Sequence, residues 1–214
     1  MRDPGAEGAD TPSRDARETA RIEAFSDGVF AIAITLLVLD LHVPGPADTG
    51  PLGSWLAAQW PSYLAFVNSF ATIGIMWINH HRLFTLIRRA DHTLLILNGL
   101  LLLGVTVVPF PTALLASALH RPDARVAALV YAGTFTAIAI VFNLLWHYSA
   151  TGGRLLDPRV NPRAVRAITR AYALGPLVYG LAWCLAFVSV AASVGLTVAL
   201  AVYFALPSRP APGD

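Results

Sequence analysis

The chain has no lysine; all 15 of its basic residues are arginine. In a sequence rich in alanine, glycine and proline this points to GC-biased coding rather than to chemistry that needs a guanidinium. Charge of either sign is scarce. Only 13% of the residues are charged, against about a quarter in ordinary soluble domains. The net charge of +2 is too small to argue for nucleic acid. Cysteine is almost absent: the single Cys184 excludes an intramolecular disulfide and reads as a small buried hydrophobe. No G-x-S-x-G or H-E-x-x-H run occurs, and adjacent Ser26 and Asp27 are poor geometry for a nucleophile and its orienter, so no enzymatic activity is expected.

What remains is apolar. At 56% hydrophobic residues over 214 positions, the composition predicts an all-α integral membrane protein with one compact membrane domain. Residues 1–20 mix both signs with proline and glycine and read as a polar cytosolic tail, not a signal peptide. Residues 21–206 hold six hydrophobic segments: 22–43, 62–84, 93–118, 125–147, 168–187 and 189–206. Residues 207–214 form a short cytosolic C-terminal tail. Pro61, Pro122 and Pro162 sit just before the second, fourth and fifth segments, where proline suits a helix start. Pro109 and Pro111 either kink the third segment or end it near Val108.

Arginine placement orients the segments. Arg2, Arg14, Arg17 and Arg21, then Arg82, Arg88 and Arg89, then Arg154, Arg159, Arg163, Arg166 and Arg170, and finally Arg209 fall on one side; only Arg121 and Arg125 fall on the other. The positive-inside rule then places both termini in the cytosol after six crossings. Trp55 and Trp60 read as anchors at the outer interface. The arginine-rich RLLDPRVNPRAVRAITR stretch is open to two readings: an amphipathic helix on anionic lipid, or a plain topological charge block.

The most informative stretch is RIEAFSDGVFAIAITLLVLDLHVP, from Arg21 to Pro44. Gly28, Ile32, Thr35 and Leu39 recur at spacings of four, three and four, so they share one helix face. That face has apolar bulk, one hydroxyl and no charge. It suits lipid, a helix contact or the wall of a narrow pore. Arg21 and Asp27 are six apart, about 9 Å along a helix and a third of a turn round, so Asp27 needs donors from another helix. Trp77, Asn79, His80 and His81 near the end of the second segment supply candidates, and Asp91, His92 and Asn98 lie at the same level. Ionisable groups at such a boundary usually face a bundle interior or a wet path. His80 and His81 point about 100° apart and do not form the i, i+4 pair of a zinc helix. No metal and no cofactor is expected.

The motif R-x-x-x-F-S-D-G-V-F-A-I-x-x-T-L-L, from Arg21 through Phe25 and Gly28 to Leu37, resembles the signature of the transmembrane protein 175 family. W-x-x-H-H-R-L-F, from Trp77 to Phe84, is similar to the end of that family's second helix, and Leu97-Asn98 through Pro109-Phe110-x-Thr112 to its third. The resemblance implies a potassium channel of the bacterial type: six helices per chain, a homotetramer, and first helices lining a central pore. It implies K⁺ as the permeant ion, with modest selectivity and a proton permeability besides. No TVGYG-type carbonyl filter is present in this sequence. By position, Ile32 and Leu39 would form hydrophobic constrictions and Thr35 a selectivity-assisting hydroxyl ring. Arg21, Ser26, Asp27, Trp77 and His81 would tie the first helix to its neighbours, with His80 able to take the place of His81. The competing expectation is a small proton-coupled carrier that uses Asp27 and the histidines as a relay. Only the third segment reads as proline-interrupted, which argues against the paired broken helices of many carriers. The implied location is the plasma membrane.

Overall fold

The computed structural model describes residues 14–45 and 50–205, so the C-terminal tail and the first 13 residues lie outside it. The described residues are helical: α1 (Arg14–Leu36), α2 (Leu52–Ala58), α3 (Trp60–Leu86), α4 (His92–Val107), α5 (Pro109–Ala118), α6 (Ala124–Ala150), α7 (Pro162–Ala186) and α8 (Val190–Ala205). Four stretches are long and apolar enough to cross a membrane: Arg17–Asp40, Trp60–Leu86, His92–Ala118 and Ala124–Gly153. α7 and α8 do not meet that standard. Arginines occupy the first third of α7, and α8 has only 16 residues.

Several boundaries differ from the hydropathy reading. α1 begins at Arg14 because RDARETAR contains good helix formers and no breaker. It tightens into a 3₁₀ turn over Leu37–Asp40. The third segment is kinked, not ended: Val108 keeps helical angles between α4 and α5. Pro109 has no N–H to give, and Val105 O is taken by Val108 N–H at 3.2 Å. Pro176 lies inside α7, so a second helix also carries an internal proline. A turn at Phe187–Ser189 joins α7 to α8, and Ser189 Oγ accepts from Ala192 N–H at 3.2 Å as an N-cap. Cys184 is exposed on α7, because the surface facing outward from a membrane bundle is as apolar as its core.

α6 is the centre of the bundle and packs against α4, α5, α7 and α8, while α1 packs against α3 and α4. Gly104 sets the closeness of α4 and α6: a Cβ there would lie 2.7 Å from Ile138 Cγ1. Trp146 is wholly buried on α6, and its Nε1–H donates to Thr169 Oγ1 on α7 at 2.9 Å. Tryptophan fits there because its one donor has a partner.

The loop after α3 and the loop after α6 are zipped together. Ile87 and Leu156 form an isolated antiparallel bridge. Arg88 N–H donates to Leu155 O at 2.8 Å, and Asp157 N–H donates to Leu86 O at 2.9 Å. The Arg88 guanidinium lies 3.3 Å from Asp157. Ile87, Leu155 and Leu156 are buried beneath this clasp. It fixes the end of α3 that carries the histidines.

Candidate functional site

α1 has two sharply different faces. Ser26, Phe30, Ala33 and Leu37 are buried at spacings of four, three and four and point into the bundle. Gly28, Ile32, Thr35 and Leu39 lie on the opposite side and are exposed, Ile32 to 60% and Leu39 to 71%. A Cβ at Gly28 would meet nothing within 4 Å, so packing inside the chain does not explain that glycine. Thr35 Oγ1 donates to Ile32 O at 2.8 Å. With its hydrogen committed, the hydroxyl presents only lone pairs to the exterior. The 3₁₀ winding beyond Leu36 adds about 20° per residue to the α-helical turn. Leu39 is thereby carried about 60° round from where an unbroken helix would place it, and Val38, 50% exposed, moves toward the line of Thr35.

The sides of α1 are bolted to α3 and α4. Trp77 Nε1–H donates to Asp27 Oδ1 at 2.9 Å. One turn further along each antiparallel helix, His81 Nδ1 meets Glu23 Oε1 at 2.7 Å. His81 stacks on Trp77, with ring centroids 6.3 Å apart. The two rungs share one register because i, i+4 steps on α1 match i, i+4 steps on α3.

A second connection is fully buried. His80 Nε2 lies 3.0 Å from Asn98 Oδ1, Asn98 Nδ2 donates to Ser26 Oγ at 3.0 Å, and Ser26 Oγ donates to Ile22 O at 2.8 Å. The donors fix the direction of this chain. Ser26 spends its hydrogen on Ile22, so it accepts from the Asn98 amide. Asn98 therefore turns its oxygen to His80, and Nε2 of His80 carries a proton. His80 Nδ1 has no partner among the described residues. The ring is 4.4 Å from that of Phe84 and 5.3 Å from that of Phe30, centroid to centroid.

The two histidines thus have different partners, His80 meeting Asn98 and His81 meeting Glu23. Trp77, Asp27, Ser26, His80 and His81 come together in this layer. Arg21 is exposed and makes no ion pair among the described residues. Asp91 departs from the layer. It caps α4 by accepting from Leu94 N–H at 2.9 Å and accepts from the Tyr148 hydroxyl at 2.6 Å. Desolvation works to raise the Asp91 pKa, but the Tyr148 and Leu94 bonds and the Arg154 charge outweigh it and hold the carboxyl below its ordinary value. A lowered carboxyl stabilises the fold above the ordinary carboxylate range, and that contribution is lost as pH falls through the lowered value. Asp91→Asn keeps a capping side chain but removes this dependence. Thermal melts between pH 7 and pH 3 should show a shallower acid loss in the variant; parallel curves would contradict the assignment.

Two features were missed by sequence reasoning. Glu23, one turn before Asp27, is the partner of His81, and nothing in the spacing of the stretch singled it out. Near the Trp60 end of α3, a buried polar cluster joins Asn68 to Tyr131 (2.9 Å) and Thr197 (3.1 Å), and Ser69 to Thr112 (2.8 Å) and Tyr131 (3.0 Å). The signal was there: two adjacent polar residues within an apolar span are costly unless partnered.

These features define a helical multi-pass membrane protein whose first helix is anchored on one face and free on the other. The model of the family "Endosomal/lysosomal potassium channel TMEM175" matches residues 21–109, which hold this layer and the exposed stripe. A potassium channel from Chamaesiphon minutus is 59% identical over 90% of this chain and 96% of its own. The crystal structure of a lysosomal potassium-selective channel TMEM175 homolog from Chamaesiphon minutus superposes with a TM-score of 0.82, at 57% identity, covering 89% of this chain and 97% of that one. The human endosomal/lysosomal proton channel TMEM175 is 36% identical over 68% of this chain and 31% of its own length. The chain belongs to the TMEM175 family.

Proposed function

We propose that this protein is a potassium-selective channel of the plasma membrane, built from four copies of the chain with α1 of each around a central axis. The observation that carries this reading is the orientation of α1. Its apolar–hydroxyl–apolar stripe faces away from its own bundle, while the opposite face is buried and the flank is held by two rungs and a buried hydrogen-bond chain. Four such stripes facing an axis make stacked rings. Ile32 and Leu39 form the constrictions, which gate by dewetting, and Thr35 supplies four oxygen acceptors for K⁺ between them. Selectivity is modest, because a hydroxyl ring offers fewer ligands than a carbonyl cage. Gly28 leaves room at the entry to this path.

Six crossings per chain with both termini in the cytosol complete the arrangement. The arginine distribution supports it, with α7 and α8 as a short hairpin of two crossings. Proton passage is included, in keeping with the name carried by the human relative. The carrier reading loses support at Asp27: this carboxylate meets Trp77, while the histidines meet Glu23 and Asn98, so no Asp27–histidine relay contact is formed among the described residues.

Recording the purified protein in planar bilayers under a K⁺/Na⁺ bi-ionic gradient tests the proposal. Unitary currents whose reversal favours K⁺ are expected. A silent bilayer with flux only under a pH gradient would overturn the channel in favour of the carrier.

A further inference from the structure

Six exposed positions of α7 line up along one side of the helix. Arg163, Arg166, Arg170, Leu174, Leu177 and Leu181 are all exposed, and their spacings of three, four, four, three and four keep them within about 80° of helix circumference. The stripe changes character once, from three arginines to three leucines. No acidic residue occurs between Asp157 and Asp214, and none of the three guanidiniums makes an ion pair among the described residues. Elsewhere on the same side, Arg88 pairs with Asp157 and Arg89 with Asp15.

Length adds a second argument. The apolar part of α7, Ala171 to Ala186, spans about 24 Å, and the 16 residues of α8 span the same. The hydrocarbon core of a bilayer is about 30 Å thick. A hairpin shorter than the core draws its charged end down to the phosphates. Arg170 is the residue at that end, with Arg166 and Arg163 one and two turns beyond it. A guanidinium is always charged and matches a phosphate with two parallel hydrogen bonds.

We propose that this face of α7 is a binding seam for an anionic phospholipid: Arg163, Arg166 and Arg170 hold its phosphate, and Leu174, Leu177 and Leu181 lie along its acyl chain. A charge block that served topology alone would need no alignment with the leucines. The seam rests on the membrane orientation proposed above and not on the pore.

The test is lipid retention by the full-length protein in phosphatidylcholine nanodiscs doped with phosphatidylglycerol, read as bound lipid per chain. Each basic residue at an anionic surface strengthens binding by about fivefold. The wild type should therefore favour phosphatidylglycerol at least tenfold. Arg163→Gln, Arg166→Gln and Arg170→Gln combined should lose most of that preference, and the triple lysine variant should keep most of it. Arg121→Gln with Arg125→Gln, at the opposite end of the bundle, should change nothing. If the triple glutamine variant does not elute like the wild type, Arg170→Gln alone carries the test with an expected loss of about fivefold. Equal retention by wild type and variants would overturn the seam. So would displacement of the lipid by millimolar inorganic phosphate, which would mean a free-anion site, or oxidant-driven disulfides between copies of a Leu177→Cys, Cys184→Ser variant. Nanodiscs present the lipid on both faces, so failure here leaves the pore standing, and a silent bilayer leaves the seam standing.

Discussion

Ile32→Asn should raise unitary conductance about tenfold and lower the preference for K⁺ over Na⁺. The side chain is 60% exposed on the free face of α1, so the change removes no packing inside the chain. In the proposed tetramer four isoleucines meet on the axis, and water leaves the gap between them because apolar walls offer it no hydrogen bonds. Four amides offer donors and acceptors and hold water there. Lowering the barrier by about 1.4 kcal/mol gives that tenfold rise. Discrimination falls because a hydrated ion then passes without shedding water to Thr35. Paired recordings of wild type and variant at equal voltage decide the matter. Unchanged currents would mean that Ile32 faces lipid or another helix, and the pore assignment of α1 would fail with it.

The second large effect belongs to Asn98→Leu. Asn98 is 3% exposed and is the only link in the buried chain that both donates and accepts between helices. Leucine is close in volume, so the loss is one of hydrogen bonding. Ser26 still gives its hydrogen to Ile22 O and merely loses a donor. His80 is left with an N–H at Nε2 facing apolar surroundings, which costs about 1–3 kcal/mol. The melting temperature of the purified protein should fall by several degrees. His80→Phe added to Asn98→Leu should recover more than half of that loss, since it removes the orphaned donor and places a ring among Phe30 and Phe84. Additive losses in the double variant would show that the chain is not directed as described.

The exposed stripe of α1 was legible because it repeats at helical spacing, and a 4-3-4 pattern needs no tertiary knowledge. The 3₁₀ turn at Leu37 was not, since Leu-Val-Leu carries no local signal against a continuing α-helix. That the second segment supplies a donor to Asp27 followed from need and level: a carboxylate at that depth requires one, and antiparallel helices bring those ends together; that Trp77, and not Asn79, His80 or His81, is the donor did not. Glu23–His81 required the register as well, which becomes readable only once the first rung is placed. Asp91 and Asn98 are seven apart and looked like partners in one layer. They separate because Asp91 precedes the first turn of α4, so its side chain curls back to cap it, while Asn98 points into the bundle. The earlier start of α1 was written in Arg14–Arg21, a run of good helix formers that hydropathy alone discounts. The status of α7 and α8 stayed ambiguous for a physical reason: their apolar lengths are short, and the arginines of α7 occupy a third of the helix.

In the proposed pore, the committed hydrogen of Thr35 bears on the sign of the permeating charge. A hydroxyl ring free to rotate solvates either sign, turning its oxygens to a cation or its hydrogens to an anion. Within this chain that hydrogen is held by Ile32 O at 2.8 Å, so in the proposed tetramer the ring would turn lone pairs to the axis. Chloride would find no hydroxyl donor at that level. One backbone-directed bond would then favour cations without a charged residue in the proposed lining.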